Sequence, residues 1–256
     1  MESSGLIGIE WHVFAVGMFA AVFAGVSKGG FGSGASFAGG SLMALLIPPG
    51  MALGIMLPIL MVIDAATLRP YWRKWAWNDV RLLAIGSVPG VALGAALYSV
   101  VNADVIRFLI GAICLIFVLW QMGVRGGVVK MAERPLPRWC GAFTGSIAGF
   151  TSFVSHAGGP PVAIYLLSRG LGKTEYQAST VLLFAVVNVL KFTPYAFLGV
   201  FTLHTFWVAM SLAPFALLGA WLGVKAHRVI PERAFFALTH VMLTLTGLKL
   251  IWDALS

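Results

Sequence analysis

Long apolar segments recur from one end of the chain to the other, and they limit what it can fold into. A helix needs about 20 consecutive apolar residues to cross the ~30 Å hydrocarbon core of a bilayer. Only 10% of the residues are charged and 59% are hydrophobic, whereas soluble domains carry about 25% charged residues. The sequence therefore predicts an all-α polytopic membrane protein, with residues 1–256 forming a single integral membrane domain in the lipid bilayer. Apolar spans are predicted at 11–27, 51–69, 80–99, 105–122, 139–154, 176–199, 205–224 and 233–252, with shorter pieces at 38–48 and 161–168.

The remaining composition argues against several other classes of protein. The formal net charge is +8, but the basic residues cluster in short loops, as the positive-inside rule requires. No basic stripe with interleaved aromatic residues indicates a nucleic-acid partner. Cys114 and Cys140 both lie in apolar context, so neither a disulfide framework nor a metal site is predicted, and no cofactor is expected. The first residues, MESSGLIGIE, lack the basic region of a cleaved signal peptide.

The two halves of the chain resemble each other. Repeat 1 is assigned to residues 11–122 and repeat 2 to residues 139–253, with a basic cytoplasmic linker at 123–138. Four matches occur in one order at a nearly constant offset, which indicates an internal duplication. The matches are AGGSLMALL (38–46) with AGGPPVAIY (157–165), Pro70-Tyr71 with Pro194-Tyr195, VPGVALGAAL (88–97) with APFALLGAWL (213–222), and ADVIRFL (103–109) with PERAFFA (231–237).

The distribution of lysine and arginine orients the predicted spans. The loops at 100–104 and 200–204 carry neither residue, whereas basic loops lie at 69–81, 125–138, 169–173 and 225–233. Placing every basic loop on the cytoplasmic side makes span 51–69 run inwards and its repeat partner, 176–199, run outwards. We therefore expect two inverted-topology repeats, each with a broken or short helix pair followed by three transmembrane helices, and both termini on the outer side. This architecture is typical of transporters whose substrate site lies at the repeat interface.

Each repeat opens with an apolar segment that is interrupted by glycines and followed by a helix too short to span. The interruptions are SKGGFGSGAS, which starts at Ser27, and SHAGGPP, which starts at Ser155. Such breaks persist in membranes only where protein or a watery cavity satisfies the backbone. The N-terminus of a short helix presents free N–H donors and partial positive charge, which attract anions. The alternative is a packing kink in which the glycines serve close helix contact.

The predicted substrate-binding residues lie at these breaks. Lys28 follows a long apolar run, where a lysine costs roughly 2.5–3.5 kcal/mol on insertion scales. We interpret it as an anion ligand in a cavity, with snorkelling to the lipid headgroups as the alternative. The full predicted set is Ser27, Lys28, Gly29, Gly30, Ser33, Gly39, Gly40, Ser155, His156, Gly158 and Gly159.

Polar residues inside the spans are candidates for proton coupling. His156 can donate a hydrogen bond when neutral and adds charge when protonated, and a structural bond to a nearby carbonyl is the alternative. Asp64 is the second proton-coupling candidate, since intramembrane acids are often proton carriers. It falls opposite Asn188 in the repeat alignment, so a structural bond between the two is also expected. Lys191 is a supporting polar residue that could reach the membrane interface by snorkelling.

With these residues, the chain resembles the TauE/SafE sulfite exporter family of bacterial permeases, also called the toluene sulfonate uptake permease group. The resemblance is carried by SKGGFGSG (27–34), GFTSFVSHAGGPP (149–161) and the duplicated layout, and it covers nearly all of the chain. It implies secondary transport of sulfite or organosulfonates across the bacterial cytoplasmic (inner) membrane, with export as the usual direction. From the residues alone, the expectation is a small-anion transporter with inverted repeats that is not an enzyme.

Two alternative functions use the same residues. A passive anion channel would conduct through the same breaks without coupling. An intramembrane serine protease would pair Ser33 with His156, and that chemistry needs hydrogen-bond contact between them. The duplication argues against the protease, because the second break supplies no second serine–histidine set.

Overall fold

The computed structural model of the protein describes residues 9–31, 35–129, 135–226 and 232–256, with only the backbone described at 226 and 232–234. This part of the chain forms ten α-helices and one π-helical turn, Ser27–Phe31, which continues the first helix. The α-helices are α1 Trp11–Val26, α2 Phe37–Met43, α3 Pro49–Leu68, α4 Trp77–Val100, α5 Ala103–Arg125, α6 Arg138–Ser155, α7 Gly159–Ser168, α8 Lys173–Phe197, α9 Leu203–Ala226 and α10 Glu232–Leu255.

In the described part of the chain, seven helices are long and apolar enough to cross a membrane. They are α1 with its π-helical turn, α3, α4, α5, α8, α9 and α10. The chain is therefore a multi-pass membrane protein, as the sequence predicts. The helix pair α6–α7 is built differently, because α6 has 18 residues and α7 has only 10. At ~1.5 Å per residue, α7 reaches about half-way across a ~30 Å hydrocarbon core.

The first break lies later in the chain than predicted. The helix continues through Gly29 and Gly30 as the π-helical turn and ends at Phe31. A Cβ atom at Gly29 or Gly30 would overlap the backbone of α9 at Ala220 or Gly223. These two glycines therefore allow close packing of the π-helical turn against α9. Placing the start of the break at Ser27 was wrong, since contact with α9 keeps this stretch helical.

The second break lies where the sequence predicts it. Helix α6 ends at His156, whose φ of 58° is in the left-handed region. Helix α7 then begins at Gly159, with Pro160 and Pro161 in its first turn. Proline is favoured at this position because the first N–H groups of a helix have no intrahelical partner. The observed helix starts two residues before the predicted piece at 161–168.

The two halves pack on each other reciprocally. Helix α1 packs against α9, α6 packs against α4, and α5 packs against α10. Glycines bring the first two pairs into backbone contact, because a Cβ at Gly25 would overlap α9 at Ala220 and one at Gly149 would overlap α4 at Ser87. Helices α3 and α8 meet between these pairs, and buried polar side chains gather beside them.

Candidate functional site

Five buried polar side chains, from four elements, form what we call the polar cluster: Lys28, Asp64, His156, Asn188 and Lys191. They come from the π-helical turn, α3, the C-terminal end of α6, and α8. Each is at most 5% exposed, and Lys191 is fully buried. Ionisable groups cost free energy inside a membrane protein, so they usually carry function there.

Lys28 and Asp64 form a buried ion pair between the π-helical turn and α3. Asn188 on α8 donates its side-chain N–H to Oδ2 of Asp64 at 2.7 Å. Gln177 Nε2 donates to the carbonyl oxygen of Lys28 at 2.7 Å, which ties the turn to α8. The snorkelling interpretation of Lys28 is therefore wrong, and the expected bond between Asp64 and Asn188 is present.

Lys191 is held by neutral acceptors. Its Nζ donates to the carbonyl oxygen of Ser152 at 3.0 Å, to Ser152 Oγ at 3.0 Å and to Nδ1 of His156 at 2.8 Å. An ammonium has three N–H donors, so these three contacts satisfy all of them. The prediction that Lys191 reaches the interface by snorkelling was wrong, because α8 turns this side chain towards α6.

His156 bridges α6 and α3 through both of its ring nitrogens. Nδ1 accepts from Lys191, which leaves Nε2 to carry the proton and donate to the carbonyl oxygen of Leu53 at 3.2 Å. The two bonds together assign the neutral Nε2–H tautomer. The ring packs edge-on to Tyr195, with 6.1 Å between centroids, and Tyr195 donates to the carbonyl oxygen of Phe153 at 2.5 Å. The imidazole of His156 is therefore fixed by Lys191, by the Leu53 carbonyl and by the Tyr195 ring.

With both lysines protonated, the polar cluster carries one positive charge in excess. Lys28 and Asp64 compensate each other, His156 is neutral by its hydrogen bonds, and Lys191 adds an ammonium. Among the described residues, no carboxylate lies within 4.0 Å of Lys191. A buried charge without a counter-ion is costly. This arrangement can therefore accept a single monovalent anion and become neutral.

The structure separates the other predicted glycines by role. Gly39 packs against α1, where a Cβ would overlap the backbone of Ala20. Gly40 faces the polar cluster, because a Cβ there would lie 3.8 Å from Cδ2 of His156. At Gly158 a Cβ would come within 2.7 Å of the Phe184 ring.

The predicted serines differ in the same way. Ser27 is buried in the π-helical turn, beside Lys28. Ser155 is also buried, but its hydroxyl donates to the carbonyl oxygen of Thr151 at 3.0 Å, a bond within α6. Ser33 lies outside the described residues. Ser27 and Ser155 are thus the chain neighbours of two members of the polar cluster, Lys28 and His156.

A cavity of about 540 Å³ lies between the π-helical turn and the start of α7. Gly30 from the turn and Gly159 from α7 both line it, together with Gln177. Arg125, at the end of α5, and Lys173, at the start of α8, also line this cavity. It therefore extends from the side of the basic loops to the residues around Lys28.

Sequence reasoning missed Ser152 and Gln177. Ser152 lies 124 residues after Lys28, the same offset that relates Asp64 to Asn188. Applying the 124-residue offset to Lys28 would have pointed to it. Gln177 had no such signal, because its alignment partner is the apolar Leu53.

A family of known proteins matches most of the chain. The family model described as "Sulfite exporter TauE/SafE" matches residues 17–250. Neither a curated protein nor a solved structure matches the chain. The family match extends from within α1 to within α10, so it includes both breaks and every member of the polar cluster. The chain therefore belongs to the sulfite exporter TauE/SafE family of membrane transport proteins.

Proposed function

We propose that the protein is a secondary transporter that carries a small sulfur-containing anion, either sulfite or an organosulfonate, through the polar cluster. The observation that carries this proposal is Lys191, a buried lysine whose Nζ contacts only neutral groups in the structure; in its protonated form it offers an anion a charge that no described carboxylate balances. The family supplies the transport class and the sulfur-containing anion. It is a family of transporters, which fits the expectation that the protein is not an enzyme. Export across the bacterial cytoplasmic membrane is the direction that we propose.

The anion would replace neutral acceptors as the partner of Lys191. Its oxygens would accept from Lys191 and from Lys28, with the N-terminal end of α7 at Gly159 supplying partial positive charge. An ionised partner adds Coulomb attraction to the bonds of an ammonium, and this attraction is strong at a buried site. Gly158 allows close packing against Phe184, and Gly40 lies against Met56 and near the His156 ring, so a side chain at either position would disturb the surroundings of the polar cluster. Gly29, Gly30 and Gly39 contribute by allowing close helix packing around these groups.

Inverted repeats at 11–122 and 139–253, joined by the linker 123–138, are part of the same proposal. The reciprocal packing of α1 on α9 and α6 on α4 supports it. A pair of tyrosines supports it further: Tyr71 donates to the carbonyl oxygen of Gly29 at 3.1 Å, and Tyr195 donates to that of Phe153. Both donors and both acceptors are 124 residues apart. The polar cluster would then lie on the pseudo-twofold axis that relates the halves.

The inverted arrangement predicts the side from which single cysteines react. In a background that carries Cys114→Ala and Cys140→Ser, Asn102→Cys and Thr202→Cys should react with an impermeant thiol reagent in intact cells. Asn78→Cys and Val128→Cys should react only after permeabilisation, because they lie on the side of the basic loops. The measurement is the labelled fraction before and after permeabilisation. Labelling of Val128→Cys and Thr202→Cys from one side would rule out the inverted repeats.

Proton coupling through His156 and Asp64 extends the proposal. Protonation turns Nδ1 of His156 from an acceptor into a donor, so the bond from Lys191 is lost. Two cations would then lie side by side, and an anion between them would satisfy both. Proton and anion therefore favour each other's binding. Asp64, paired with Lys28, is the other group whose protonation would free a lysine.

The experiment that tests this function is transport by the purified protein in liposomes. We expect saturable uptake of an organosulfonate, with affinity that is highest at low pH and falls as His156 loses its proton. His156→Gln keeps one donor for Leu53 and one acceptor for Lys191 but cannot titrate, so this variant should still transport while its affinity loses the pH dependence that His156 supplies. The substrate must stay ionised throughout the titration, and sulfite is unsuitable because its own protonation would change with pH.

Three outcomes would contradict parts of this scheme. Absence of any saturable sulfonate or sulfite transport would contradict the function itself. Current that does not saturate and follows only the anion's own electrochemical gradient, without a proton gradient, would favour the passive channel. An unchanged pH dependence in His156→Gln would make His156 structural and leave Asp64 as the coupling group.

A further inference from the structure

A groove between α3 and α9 opens on the lipid-facing side of the protein. It has a volume of about 240 Å³ and is lined by Ala66, Thr67, Pro70, Leu217, Ala220, Trp221 and Val224. Leu217 and Trp221 are 44% and 54% exposed, so lipid can reach the groove. The hydroxyl of Thr67 donates to the carbonyl oxygen of Ile63 at 2.8 Å, a bond within α3. The groove therefore presents an apolar surface, which suits a hydrocarbon chain.

The groove lies at the membrane end that carries the basic loops. Thr67 is in the last turn of α3, and Val224 is in the last turn of α9. Trp221 is one turn before Val224, and exposed tryptophans are enriched at the level of the lipid headgroups. One end of the groove is therefore at headgroup level, and the rest faces the acyl chains.

Two lysine side chains are fixed at the headgroup end by residues that line the groove. Lys74 Nζ donates to the carbonyl oxygen of Pro70 at 3.2 Å, and Lys225 Nζ lies over the ring of Trp221, 3.6 Å from its centroid. Among the described residues, no carboxylate lies within 4.0 Å of either lysine. An ammonium has three donors, so the bond to Pro70 leaves donors of Lys74 for another acceptor. Basic pockets between transmembrane helices at this level are typical sites for anionic headgroups.

We propose that this groove binds one anionic phospholipid from the leaflet on the side of the basic loops. An acyl chain lies in the groove, and the phosphate accepts hydrogen bonds from Lys74 and Lys225. Charge complementarity selects this occupant, because a zwitterionic lipid brings an ammonium of its own that the two lysines repel. A second copy of the chain fits less well, since a twofold contact would bring the same cations together. The proposal does not depend on which anion the protein transports.

The lipid site is connected to the Lys28–Asp64 ion pair through both of the segments that carry it. The hydroxyl of Thr67 also lies 3.3 Å from the carbonyl oxygen of Asp64, one turn earlier in α3. Tyr71, which follows Pro70, donates to the carbonyl oxygen of Gly29 in the π-helical turn at 3.1 Å. A lipid packed against this region would therefore hold these segments in place. We expect phosphatidylglycerol to raise the melting temperature of the purified protein.

Native mass spectrometry of the purified protein tests the proposal with phosphatidylglycerol and phosphatidylcholine of the same acyl chains. We expect one bound phosphatidylglycerol per protein, with a Kd at least tenfold lower than that of phosphatidylcholine, or about 1.4 kcal/mol. The double variant Lys74→Gln with Lys225→Gln should lose this preference. The matched control is Arg81→Gln with Arg138→Gln, which removes two exposed charges near the same membrane surface, outside the groove. It should bind phosphatidylglycerol as the wild-type protein does.

A third variant tests the place of the acyl chain. Ala66→Phe fills the groove from an exposed position and leaves both lysines unchanged, so it should weaken binding of both lipids. Lys74 and Lys225 are exposed, so their double variant should fold even if Ala66→Phe does not. The rise in melting temperature with phosphatidylglycerol should persist in the control and disappear in the lysine double variant.

Three results would overturn the lipid site. One is a wild-type protein with equal affinity for the two lipids. Another is equal phosphatidylglycerol binding by the lysine double variant and the arginine control. The third is a protein dimer that dissociates in Ala66→Phe, since the groove would then hold a second copy of the chain. Each result concerns lipid binding or assembly alone, so failure of anion transport would not imitate any of them.

Discussion

Lys191→Met is expected to abolish anion transport while leaving the fold intact. Methionine matches the length of lysine, but it removes the ammonium that gives the polar cluster its excess charge. Losing a buried charge also removes a desolvation cost, so the protein should still be extracted as a single monodisperse species. We expect sulfonate affinity to fall at least a hundredfold, or about 2.8 kcal/mol. Transport in liposomes and calorimetric titration measure the two effects.

The matched control for this prediction is Lys249→Met. Lys249 lies on the exposed face of α10 and pairs with Asp253, so its loss changes the net charge equally without touching the polar cluster. We expect wild-type affinity and transport from it. If Lys191→Met bound sulfonate as tightly as this control does, the anion could not be balancing the charge of Lys191, and the proposed site would be wrong.

Asp64→Asn is expected to be the most destabilising single change in the polar cluster. It leaves Lys28 buried and without a carboxylate, and breaking a buried ion pair in this way costs about 3–5 kcal/mol. The double variant Lys28→Gln with Asp64→Asn removes both charges and keeps groups that hydrogen-bond to each other. We therefore expect a lower melting temperature for Asp64→Asn and recovery of most of that loss in the double variant. Thermal unfolding of the detergent-purified proteins measures this.

The same double variant separates folding from function. If Lys28 helps to hold the anion, the double variant should bind sulfonate at least tenfold more weakly than the wild-type protein, a difference of about 1.4 kcal/mol. Wild-type affinity in a stable double variant would make the ion pair purely structural. The ion pair also changes the expectation for Lys28→Gln alone, because that variant would leave the carboxylate of Asp64 buried without its cation.

The sequence predicts features that depend on local residues. Apolar length locates the spans, and the run of two glycines and two prolines locates the break before α7. The first break was misplaced because the glycines at 29 and 30 remain helical only through contact with α9, nearly 200 residues further along the chain. Local sequence does not reveal such a contact.

The site could be predicted only in part for a similar reason. The repeat offset pairs Asp64 with Asn188, and the structure has them hydrogen-bonded. Snorkelling of Lys191 was predicted because its sequence position alone does not show where the side chain points. That direction depends on how α8 packs against α6. The cavity of about 540 Å³ was not predicted at all, because the residues that line it come from helix ends that are far apart in the chain.

Backbone contact between α1 and α9, and between α4 and α6, limits how the molecule can move. Surfaces joined at Gly25 and Gly149 have no flexible side chains between them, so neither pair can slide without opening voids that cost dispersion energy. Each pair should therefore move as a rigid unit. Motion that changes access would be confined to the seam between the units, where α3 meets α8. The buried lysines lie along this seam, so rocking of the units would change their partners and their contact with water in one step.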